Sequence, residues 1–160
     1  MSESQFNSNS TQTGTAAPKK VDPRGPRFGA AVTAVVLILA LLFGPSSPVT
    51  LGLLILQTIA FALGGLVGLQ YQPYGFIYSR LVRPRLQPPA ELEDVRPPQF
   101  AQLVGLVFAL LALIGYLAGL SVLFYAALIL ALVAALLNAV FNFCLGCEIY
   151  LLAARLGKKA

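Results

Sequence analysis

The sequence predicts an all-α membrane protein: four transmembrane helices, arranged as two tandem two-helix repeats, behind a disordered N-terminal tail. Three observations predict it. Four long apolar runs contain no charged residue. All 11 Lys and Arg residues fall in the N-terminal segment, the central connection or the C-terminal tail. A polar motif recurs at one fixed offset along the chain.

Composition sets the class. Of the 160 residues, 58% are hydrophobic and 11% charged. A soluble domain typically carries about 25% charged residues, so this chain cannot cover a water-facing surface. A net charge of +5 invites a nucleic-acid reading. That reading fails, because the basic residues flank apolar runs and form no stripe on a soluble fold. Histidine is absent, which removes the commonest metal ligand and the usual proton shuttle at neutral pH. No cleavable secretory signal is expected, because the first apolar run begins behind a long polar segment.

Residues 1–21 are rich in Ser, Thr, Asn and Gln. Such a segment buries too little to offset its ordering entropy and reads as a disordered cytoplasmic tail. The first apolar run is Phe28–Phe43, short of the roughly 20 residues a span needs. Gly44, Pro45 and Pro48 make a turn. The second run is Val49–Leu69, with Gly64 and Gly68 forming a small face for close helix packing. Residues 71–99 form a polar connection, whose part Phe76–Arg83 alternates apolar and basic groups and suits the headgroup region. The third run is Phe100–Leu117, and Ala118–Ser121 is an uncharged turn. The fourth run, Val122–Phe143, leads into the cysteines. Gln57, Gln70, Asn138 and Asn142 read as amides that hold helices together.

Orientation follows from charge. Four spans bring the three basic segments to one side, and the positive-inside rule makes that side the cytoplasm. Both termini and both cysteines are expected there.

The repeat is carried by Asp22, Arg24, Pro26 and Phe28, matched by Asp94, Arg96, Pro98 and Phe100. The offset, Asp22 to Asp94, is 72 residues. The same register aligns Tyr78 with Tyr150 and Arg83 with Arg155. This divides the chain into residues 22–93, a first helix pair with its basic connection, and 94–160, a second pair ending in the cysteine segment and a basic tail. Both halves enter from one side, as in a parallel repeat. Asp22 and Asp94 are expected at helix starts.

Cys144 and Cys147 are the only cysteines, and they form a C-x-x-C. This spacing lets two sulfurs form a disulfide or share a metal. Two backbone geometries are open. A straight fourth helix places both thiols on one face with Glu148, far from any helix N-terminus. A break at Gly146 places Cys147 near a new N-terminus, where a thiolate is favoured. A permanent structural disulfide is not expected in the cytoplasm. Two thiols do not complete a zinc site. The competing reading is that the cysteines are small residues that pack. The candidate catalytic residues are therefore Cys144, Cys147 and Glu148, and attacker and resolver are not distinguished. No residue pattern specifies a cofactor.

The motif D-x-R-x-P-x-F, its second copy, and the closing segment Phe143–Tyr150 resemble a bacterial membrane family, domain of unknown function 4395, over about residues 22–156. The resemblance implies a small multi-span protein of the bacterial cytoplasmic membrane. It transfers no catalytic residues. An association of such relatives with thioredoxin-like and sulfurtransferase proteins fits a thiol role. The expected function is thus thiol-redox or sulfur handling with a soluble thioredoxin-like or rhodanese-like partner. The alternative is a non-catalytic membrane subunit or assembly factor. Membrane lipid is an expected partner, nucleic acid is not, and a homo-oligomer stays open.

Overall fold

The computed structural model describes residues 19–159. Most of the expected tail, residues 1–18, lies outside them. Its last part is not loose. Lys20–Val21 (β1) pairs antiparallel with Glu93–Asp94 (β2), Lys20 opposite Asp94. Two short polar segments find backbone partners in each other, which composition alone does not signal.

Four helices are long and apolar enough to cross a membrane. The first, α1, is Arg24–Phe43. It starts four residues before the apolar run because Asp22 Oδ1 accepts the Arg24 N–H at 3.0 Å. That makes 20 residues, so the expected shortfall disappears. The second helix, α2 (Pro48–Ala62), is capped by the Ser47 side chain and prolonged by a wide turn through Val67. The span α4 is Arg96–Leu117, and α5 is Ser121–Phe141. Between the pairs, the connection is partly helical: α3 (Pro73–Ile77) is followed by further helical turns to Arg85. The last helix, α6, is Leu145–Lys159.

The core lies where α1, α2, α4 and α5 meet, around Leu37, Leu54, Ala112, Phe124 and Leu128. Small residues let the helices approach. A Cβ on Gly65 would meet Leu103 Cδ2 at 2.7 Å, and one on Gly115 would meet Phe124 N at 2.6 Å. Gly65 and Gly64 therefore face α4. Gly68 does not share that face; at φ 140° it ends the helix, a conformation open to glycine.

One end of the bundle is charge-free. There Tyr116 donates to the Ser47 carbonyl and Thr50 donates to the Gly44 carbonyl. Every charged residue of the described chain lies toward the other end. Here the two strands pair, and Arg27 of α1 donates to the Ala139 and Val140 carbonyls at the end of α5. Lone carbonyls at a helix C-terminus favour such a cation.

Polar groups inside the bundle are paired. Fully buried Gln57 donates to Thr33 Oγ1 on α1 and accepts from the Tyr74 hydroxyl on α3. Gln72 donates to Gln102 Oε1 on α4. Phe28 stacks on Tyr78 at 5.8 Å, and Phe100 on Tyr150 at 5.7 Å.

Candidate functional site

The fourth span does not run through the cysteines. Asn142 adopts the left-handed conformation, φ 54°, and the Phe143 N–H turns back to the Leu137 carbonyl at 3.1 Å. This closes α5 as a Schellman-type end. Asn142 is a helix terminator, not an amide on the fourth span. Both sequence-based geometries need correction: the helix is neither straight nor broken at Gly146. It breaks over residues 142–144 and restarts at Leu145.

Cys144 therefore occupies the N-cap position of α6. Its Sγ accepts the Cys147 N–H at 3.3 Å, and its carbonyl accepts the Glu148 N–H at 3.0 Å. These are the two bonds an N-cap residue makes, with sulfur in place of the usual hydroxyl or carboxylate oxygen. Cys147 sits in the first turn. The two sulfurs are joined as a disulfide, with Cα atoms 5.2 Å apart. Both residues are half-buried.

Gly146 fixes the site to the bundle. A Cβ there would lie 2.7 Å from Cα and Cβ of Ala101 on α4. Such closeness needs glycine, and the Phe100–Tyr150 stack continues the contact one turn on. Beyond it α6 is amphipathic. Leu145, Ile149, Leu152 and Leu156 form one exposed stripe, bordered on one side by Glu148, Arg155 and Lys159.

A groove of about 370 Å³ opens beside the disulfide, between α1, α2, α4, α5 and α6. Cys144 and Gly146 line it; Cys147 does not. A second cavity, about 520 Å³, lies at the charged end beside Lys19, Lys20, Asp22 and Arg83. No three Cys, Asp or Glu residues converge as a metal centre among the described residues.

The family model for the domain of unknown function DUF4395 matches residues 21–155. The chain belongs to that family. The DUF4395 match takes in the four long apolar helices, β2 and the cysteine segment, begins within β1 and stops within α6. No curated protein and no solved structure matches.

Of the three residues singled out in this DUF4395 chain, Cys144 and Cys147 come together. Glu148 contributes its backbone N–H. Its carboxylate is exposed and makes no hydrogen bond or ion pair among the described residues. It stands in the first turn of α6, where a negative charge is favoured by the helix N-terminus. Sequence reasoning missed the groove and the N-cap role of Cys144. The Asn142 turn was the available signal, because Asn is among the few residues that tolerate positive φ.

Proposed function

We propose that this protein is a dithiol–disulfide carrier of the bacterial cytoplasmic membrane, with both termini and the cysteine pair on the cytoplasmic side. It exchanges electrons with a soluble thioredoxin-like or rhodanese-like protein that docks on the basic end. The observation that carries this reading is the Cys144–Cys147 pair spanning the first turn of α6.

Position assigns the roles. A thiolate is favoured at a helix N-terminus, and Cys144 is the residue there. The better-stabilised thiolate is the better leaving group. A thiolate of the soluble partner attacks Cys147 Sγ, the sulfur away from the groove. The Cys144–Cys147 bond breaks and Cys144 leaves as a thiolate held by the Cys147 N–H. The partner's second thiol then attacks the partner sulfur of the mixed disulfide and releases Cys147. The partner ends oxidised by two electrons, and this pair ends as a dithiol.

The location rests on charge. Every charged residue of the described chain lies toward one end of the bundle, and basic segments are retained on the cytoplasmic side. A duplicated origin of the two helix pairs is part of the same reading. Asp22 and Asp94 each accept the backbone N–H two residues on. The stacks Phe28–Tyr78 and Phe100–Tyr150 are made by residues at the same offset. In the second copy, Cys144 takes the position that Gln72 holds in the first, just before a helix.

Thiol trapping of membranes, followed by mass spectrometry, tests the proposal. A Cys144–Cys147 disulfide that opens and closes with cellular redox state is the expected result. In Cys147→Ser, a mixed disulfide with a soluble protein should not form through residue 147. Thiols that stay reduced under mild oxidant, with full function of the double Cys→Ser variant, would sink it. A non-catalytic subunit or assembly factor would then take its place.

A further inference from the structure

Resting on the dithiol reading, we propose that the groove beside Cys144 binds a lipid-soluble quinone, which takes the electrons from the reduced cysteine pair.

The need for an oxidant comes first. A disulfide facing a reducing compartment is lost to the thiol pool unless something renews it. The renewing oxidant must reach Cys144, and the groove is the space that Cys144 lines. No Asp, Glu, Lys or Arg lines it. A charged soluble cofactor would find no partner there, and a neutral apolar one would. The groove volume of about 370 Å³ falls within the range of about 300–1,000 Å³ usual for small-molecule sites.

The lining is graded along its length. Two carboxamides, Gln102 and Asn138, line it at the cysteine end: Gln102 follows Ala101, the residue that meets Gly146, and Asn138 lies in the last turn of α5. The Gln102 oxygen accepts from Gln72, but neither carboxamide donates an N–H to protein among the described residues. Amide donors at membrane depth call for acceptors. Farther along, the walls given by α4 and α5 are apolar, through Ala134 to Leu130 and Phe108, and Thr33 of α1 has its hydroxyl oxygen taken by Gln57. Asn138 to Leu130 on one helix is a length of about 12 Å. A ring bearing carbonyl acceptors, with an apolar tail, matches that order: carbonyls at the amides, tail toward Leu130. An acyl chain would match the apolar part and leave the amides unpaired.

The step balances. The reduced pair gives up two electrons and two thiol protons, and the Cys144–Cys147 bond forms. The quinone gains two electrons and two protons and leaves as the quinol. The soluble dithiol is thus the donor and the quinone the acceptor, with the cysteine pair between them.

The test uses the full chain in lipid nanodiscs, reduced and then mixed with decylubiquinone without oxygen. Quinol formation is followed by absorbance, and thiols are counted by alkylation. The expected result is one quinol per protein, slowed ten-fold or more by Ala134→Phe, which fills the groove. Exchange of the same variant with a soluble disulfide should keep its wild-type rate. Should Ala134→Phe not fold, Asn138→Leu removes the donor at nearly constant volume and should slow only the quinone reaction. Oxidation no faster than that of a C-x-x-C peptide in the same nanodiscs, and unchanged by either variant, would overturn the quinone site and leave an acyl chain as the occupant. Failure of the wild-type pair to exchange with soluble disulfides would instead overturn the dithiol reading on which it rests.

Discussion

Gly146 of α6 rests directly on the backbone of Ala101 in α4, so close that a single added methyl would meet two Ala101 carbons at 2.7 Å. The contact joins one of the two residues between the cysteines to a helix long and apolar enough to cross a membrane. It sets how far the disulfide stands from the groove, since both Ala101 and Gly146 line that space. The site is thus held by close packing, not by a charge pair.

Gly146→Ala should therefore loosen the first turn of α6. The clash is with backbone, which cannot rotate aside, and overpacking of this kind costs about 1–3 kcal/mol. The expected outcome is a lower thermal midpoint in detergent and faster opening of the disulfide by dithiothreitol. Gly157→Ala is the control: nothing lies within 4 Å of a Cβ there, so it should leave both measurements unchanged.

Asn142 makes the second test. At φ 54° it closes α5 and lets a new helix start at Leu145 behind the Cys144 cap. Asn142→Gly keeps that conformation without strain and should leave stability within a few tenths of a kcal/mol. Asn142→Ile places a β-branched side chain in the left-handed region, which costs about 1–3 kcal/mol. Its α5 should tend to run on toward Cys144, removing the cap. Chemical unfolding of both variants, with alkylation of the reduced thiols, separates them: in Asn142→Ile the thiol of residue 144 should lose reactivity at neutral pH.

The four helices long and apolar enough to cross a membrane were legible, because a helix in lipid must satisfy its backbone internally and apolar length signals it directly. The candidate pair Cys144 and Cys147 was legible by residue type and spacing. Its geometry was not. A break depends on one residue's backbone, Asn142, and on a glycine fitting a facing helix, and neither is written in hydropathy. The starts of α1 and α4 were legible in the repeated motif and not in hydropathy: Asp22 and Asp94, expected at helix starts, accept the N–H groups of Arg24 and Arg96, and the helices begin four residues before the apolar runs. The groove was invisible for a further reason: its lining comes from five helices, and only their packing sets Gln102, Asn138 and Cys144 around one space.

Gln57 tests how much a buried amide holds this bundle together. It has no exposed surface and bridges Thr33 and Tyr74. Gln57→Leu keeps the volume but strands the Tyr74 hydroxyl, and a stranded buried polar group costs about 1–3 kcal/mol. The thermal midpoint should fall, and a second change, Tyr74→Phe, should recover part of it by removing the stranded donor. A purely additive pair of losses would show that the bond is not what links α2 to α3.

Tyr78 and Tyr150 offer a comparison within one chain. Each stacks on a phenylalanine at the start of a span, but only Tyr78 has a carboxylate beneath it: its hydroxyl donates to buried Asp22 at 3.1 Å. Asp94, in the matching place, is taken up by the Arg96 side chain and backbone, which lower its pKa. Burial, and then the bond to Asp22, raise the Tyr78 phenol above its ordinary value. Its neutral form is the one the fold favours. The stability it adds is therefore complete below the unfolded value of about 10 and fades as pH climbs through the folded one. Tyr78→Phe should lower the midpoint at neutral pH, with the loss of a bond to a charged group worth about 1.5–3 kcal/mol, and should flatten the alkaline fall. Tyr150→Phe keeps its ring stack and should change neither. Midpoints measured across alkaline pH for the two variants decide it; equal behaviour would mean that stacking alone, and not the Asp22 bond, holds the connection against α1.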